Sequence, residues 1–159
     1  MTSFLQILLI AHIIFGLLGV IAFYAVWMGL LKHKPSPRFL KFSSLWGFIA
    51  LVLSWFTGGY YYVAYYGTTV KPVIKAGGYP WAHALFMEAK EHVFLLLPFL
   101  AAVVALVIWF WSERMETETA TPLGSGFQIK RSLVLLSGLI TVLGIIITLA
   151  GVIISGAVR

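Results

Sequence analysis

Ser132–Val158 reads SLVLLSGLITVLGIIITLAGVIISGAV, an unbroken run without one ionisable side chain. A helix crossing a hydrocarbon core of about 30 Å needs roughly 20 apolar residues, and this stretch exceeds that length. Three runs of the same character lie upstream, at about Phe4–Leu31, Phe39–Tyr66 and Pro80–Trp111. The chain as a whole is 61% hydrophobic and 10% charged, with a mean hydropathy of +1.00, a composition foreign to soluble domains. The fold class that follows is all-α: an integral membrane up-down-up-down four-helix bundle, formed by residues 1–159 as a single domain.

The connections set the topology. The first is the basic, proline-containing turn Lys32–Arg38, and the third, Ser112–Gln128, is rich in Thr, Glu, Gly and Ser and reads as a flexible linker. Lys32, Lys34, Arg38 and Lys41 flank the first connection, and Arg114, Lys130 and Arg131 flank the third. The second connection carries only Lys71 and Lys75. The positive-inside rule places connections one and three in the cytoplasm and both termini outside, in an inner or plasma membrane of bacterial or archaeal type. Met1–Leu31 has no basic start and no small-x-small cleavage site, so it reads as a retained first helix and not as a signal peptide. The net charge of +6 is accounted for by these topology signals, which leaves no case for nucleic acid. The absence of cysteine excludes disulfides, thiolate metal sites and covalent haem attachment.

Ionisable groups at membrane depth are costly, and so carry the functional information. They are His12 in the first span and Glu88, Lys90, Glu91 and His92 in the third, with His83 near its start. Counting about 1.5 Å per residue from Lys32 and from Glu113 puts His12 and His92 at one level, roughly 30 Å from the inner boundary. That level is the outer interface, marked by Tyr60, Tyr61, Tyr62, Tyr65 and Tyr66. Helical spacing sets His12, Gly16 and Gly19 on one stripe of the first span. It sets Glu88 and His92 one turn apart with Glu91 beside them, while Lys90 points away and can snorkel to the surface. The first and third spans are diagonal in such a bundle, so the two histidines are expected to meet across its outer mouth.

The histidine followed four residues later by glycine, as His12 and Gly16 stand here, resembles the ligand helices of small four-helix membrane b-type cytochromes. The resemblance implies one haem b held by His12 and His92, its edge sliding over Gly16, Gly19 and Gly151. Lys71 and Lys75 would meet the propionates, and electrons would be exchanged at the outer face with quinol or another redox protein. The second and fourth spans lack histidine, so the second haem of several such cytochromes has no ligands here.

Two further readings stand beside it. His12, Glu88, Glu91 and His92 supply two imidazoles and two carboxylates, a ligand set for Zn, Fe, Mn or Cu. Glu88, a turn outward of His92, would repel propionates and so favours this metal site over haem. The bland alternative is an accessory subunit of a larger complex or a homo-oligomer, with solvated glutamates and a histidine bonded to a neighbouring helix. Packing is then the role of the glycines. Pro98 is expected to kink the third span, and Gly58–Gly59 to pack closely or open access to a ligand. His33, in the cytoplasmic turn, is read as solvated.

Overall fold

The computed structural model describes residues 2–113 and 125–157. Within them the chain is helical almost throughout. α1 spans Ser3–Leu31. Pro35 and Pro37 interrupt it, and α2 starts on Pro37 and runs to Tyr61, with the Ser36 hydroxyl accepting from the Phe39 N–H at 3.5 Å. Proline suits a first helical turn because its missing N–H would have had no partner there.

The chain does not leave the helix at the tyrosines. It widens into a π-helix over Tyr62–Val70, closed by the Lys71 N–H on the Tyr66 carbonyl, and continues as α3, Lys71–Ala76. After a short turn a second π-helix, Ala82–Met87, leads into α4, Glu88–Trp111, and α5 covers Ser125–Gly156. Four helical segments, Ser3–Leu31, Pro37–Ala76, Ala82–Trp111 and Ser125–Gly156, are long and apolar enough to cross a membrane. The second is longer than its sequence suggests, and most of the expected second connection is helix. The fourth begins at Ser125 and not at Ser132, which brings Lys130 and Arg131 onto its first turns. Residues 114–124, most of the expected third linker, lie outside the described residues.

α1 and α4 each pack against α2 and α5, so they stand at opposite corners of a bundle. Glycines set the spacing of these contacts. A Cβ on Gly19 would lie 2.7 Å from Leu51, one on Gly47 2.9 Å from Phe23, and one on Gly29 3.0 Å from Leu40. Along this seam the residue number rises on α1 as it falls on α2. The α1–α5 seam behaves likewise, with Gly138 against Trp27 and Gly144 against Val20. Small residues here let backbones approach closely, and dispersion then acts over a large contact area.

The interior is a continuous apolar column including Phe23, Leu30, Leu51, Leu97, Ala101, Val104, Ile108, Leu133 and Ile140. Buried hydroxyls on α5 are satisfied within the helix: Ser137 donates to Leu133 O at 2.6 Å and Thr141 to Ser137 O at 2.8 Å. The outward faces are equally apolar, with Ile7, Ile21, Phe56, Val63, Phe99, Phe110 and Val152 all exposed. At the end holding the first connection, Lys41 donates to Glu113 at 2.6 Å and lies over the Trp109 ring, and Lys130 donates to the Lys32 carbonyl. Lys41 holds the Glu113 carboxyl below the usual carboxylate range by its hydrogen bond and charge.

Candidate functional site

The opposite end of the bundle holds a cavity of about 1140 Å³, reached by residues of α1, α2, α4 and α5 and the first π-helix. Its wall is mostly apolar, with His12, Lys90, Glu91, Tyr62 and Tyr66 among its ionisable groups.

His12 is fixed from α2. Its Nδ1 lies 2.9 Å from the Ser54 carbonyl oxygen and 3.0 Å from Ser54 Oγ, while that hydroxyl donates to the His12 carbonyl at 3.0 Å. A carbonyl can only accept, so Nδ1 carries the proton and Nε2 keeps the lone pair. This is the tautomer that a metal-bound histidine uses, with the second nitrogen oriented by a backbone acceptor. Gly58 gives the ring its room, because a Cβ there would overlap Nδ1 and Cε1, and Phe94 of α4 meets the ring edge-on at 5.4 Å between centroids.

The structure does not bring the second expected histidine to this place. His92 is exposed, away from the cavity wall, and its Nδ1 donates to the Glu88 carbonyl one turn earlier at 2.7 Å. It shares its side of α4 with Leu95, Leu96, Phe99, Val103, Leu106 and Phe110, all exposed. Glu88 is exposed with it. Of the four proposed metal ligands, His12 and Glu91 reach the cavity. No group of three His, Asp or Glu side chains close enough to hold an ion occurs among the described residues. Gly16 and Gly19 are also displaced from their expected role. They face α2, where a Cβ on Gly16 would lie 3.2 Å from Ser54 Oγ and one on Gly19 would strike Leu51, so they pack helices and do not line the cavity. Gly151 does line it.

Lys90, too, departs from its expected place. It turns inward to the cavity wall, with Nζ 3.3 Å from where a Cβ on Gly151 would sit. The signal was present. Lys90 and Phe94 continue the stripe Leu97, Ala101, Val104 and Ile108, all fully buried, whose alanine marks a close-packed face. Lys71 and Lys75, expected to meet propionates, are not on the cavity wall.

From the wall a polar layer runs inward to His83. The Glu91 carboxylate accepts from the Tyr62 hydroxyl, and its Oε1 is buried without a partner among the described residues. Tyr62 stacks on Tyr66 with centroids 5.3 Å apart, and the Tyr66 hydroxyl lies 3.1 Å from Nδ1 of His83, which is 1% exposed. The aromatic belt is thus partly an interior feature. π-helical turns of this kind concentrate at functional sites, and both flank this layer.

Comparison with family models, curated proteins and solved structures finds no match. Any functional reading therefore rests on the cavity and its side chains.

Proposed function

We propose that the four apolar segments insert as an up-down-up-down membrane bundle, and that the cavity would hold one b-type haem through His12, for electron exchange at the outer face. The topology is supported by contacts that run oppositely along every seam described and by short connections between neighbours. Insertion is supported by outward faces that would be strongly unfavourable in water.

The haem reading is carried by His12: an imidazole locked by a backbone acceptor into the metal-binding tautomer, on an apolar cavity large enough for a flat cofactor. The Gly58 notch that admits the ring is the second element of fit. Two-histidine ligation, as the resemblance implies, would need His92 on the same cavity, and the wall offers His12 alone. The proposal is accordingly a haem with one histidine ligand. Its chemistry when bound is reversible one-electron transfer at iron. The protein holds the ring in place, keeps His12 in one orientation through Ser54, and excludes water with Phe94, Trp55 and Phe56. Quinol dissolved in the outer leaflet is the suitable donor for a site at this depth.

The test is a visible spectrum of the protein purified from a haem-producing host. A Soret band that sharpens on reduction supports the reading, and a colourless protein rejects it. His12→Ala is expected to abolish the band, whereas His92→Ala leaves it intact. Loss of haem in the second variant would overturn the one-histidine assignment. Elemental analysis of a colourless sample would then detect Zn, Mn, Cu or non-haem Fe.

A further inference from the structure

A lysine at the end of a membrane helix ordinarily extends its ammonium to the headgroup region, because an unpaired charge in an apolar surrounding is costly. Lys90 does the reverse. It lies on the buried stripe of α4, lines the cavity, and packs its Nζ against Gly151 on α5. It pairs with no carboxylate among the described residues, where the sole ion pair is Lys41–Glu113. Glu91, its neighbour in sequence and on the same wall, is engaged by Tyr62 instead. The fold therefore places a cation against a cavity and supplies no anion for it from the described chain. His12 lines the same cavity, so one occupant can meet both residues.

We propose that Lys90 is the receptor for a carboxylate on the cavity's ligand, so that the site selects an apolar body bearing an acid group. This rests on the haem reading for the identity of the ligand, but not for its charge. A haem meets the requirement with its propionates, and a fatty acid meets it with its head. In both cases the ammonium gains a charge-assisted hydrogen bond in a poor dielectric, where such bonds are strongest. The ring or chain occupies the apolar remainder.

Three ligands separate the possibilities on the purified full-length chain without cofactor: iron protoporphyrin IX, its dimethyl ester, which masks both carboxylates, and a fluorescent fatty acid with its alcohol as control. The wild type is expected to bind the free porphyrin about 10-fold or more tightly than the diester, the effect of one charge-assisted bond. Lys90→Met is expected to erase that preference while leaving diester affinity unchanged, and Lys90→Arg to retain it. Thermal melts of each variant establish that it is folded. A preference that survives Lys90→Met overturns the proposal. So does a Lys90→Met protein whose preference is intact but whose spectrum shows a lost iron ligand, since Lys90 would then bind the metal. If neither porphyrin binds, the haem reading falls. Lys90-dependent binding of the acid over the alcohol would still uphold the carboxylate site, and failure of that arm too would sink it.

Discussion

At Gly58, a single methyl group would decide whether the His12 ring keeps its place, because a Cβ there overlaps two ring atoms. Gly59, next in sequence, has nothing within 4 Å of its Cβ position. Gly58→Ala is expected to destabilise the protein by about 1–3 kcal/mol through overpacking and, on the haem proposal, to weaken haem binding by tilting the imidazole. Gly59→Ala should be neutral or slightly stabilising, since alanine is the better helix former. Thermal melts in detergent and the Soret intensity of the two variants read this out. Equal behaviour of the pair would mean that α1 does not approach α2 as described. At this scale the sequence was half legible. His12, Gly16 and Gly19 do share a stripe, but spacing alone could not say that the stripe faces α2. Ser54, which orients His12, is an unremarkable serine in an apolar run until the contact is seen. His92 looked equivalent to His12 by depth, and depth carries no information about azimuth. That information was in the small and large apolar residues downstream, which divide α4 into a buried face with Lys90 and an outward one with His92.

The π-helix Tyr62–Val70 and the one that starts α4 act together as an element. They bring Tyr66 from one and His83 from the other to 3.1 Å, inside a small cluster with Ile74, Ala82 and Ile154. His83 Nε2 is buried and without a partner among the described residues, so the Tyr66 hydroxyl provides the one polar contact described for the ring. Tyr66→Phe removes it and leaves an imidazole with neither nitrogen bonded, at an expected cost of about 1–3 kcal/mol. Replacing both residues, Tyr66→Phe with His83→Leu, should cost less than the two single changes added together, because no polar group is then stranded. Chemical or thermal unfolding of the four proteins completes the cycle. Strict additivity would show that the two side chains do not interact. The sequence pattern predicts a helix end at the tyrosines and a connection beyond them. The cause is physical: Gly67, Thr68, Thr69 and Pro72 are poor helix formers, and tertiary packing of Tyr66 and Ile74 against the next segment overrides that local preference.

For the molecule as a whole, four apolar runs without a soluble domain were plain in composition, and the diagonal placement of the first and third spans followed from short connections. What no single run encodes is that the two ends differ in kind. One end is tied by Lys41–Glu113 and by Lys130 on the Lys32 carbonyl; the other opens into the cavity beside the second connection. Which side of a membrane the cavity would face, with the segments inserted as proposed, depends on orientation, and the chain lends itself to a direct measurement because it has no cysteine. His33 and Gly78 are both exposed and lie in the first and second connections. Single substitutions His33→Cys and Gly78→Cys each create one reactive thiol. With a membrane-impermeant maleimide added to intact cells, Gly78→Cys is expected to label and His33→Cys to label only after permeabilisation, as the basic residues around the first connection require. The reverse pattern would turn the cavity toward the cytoplasm and transfer the electron-exchange proposal to the inner leaflet. Labelling of both from one side would mean that the second segment, Pro37–Ala76, does not cross the bilayer, and the up-down bundle would fail with it.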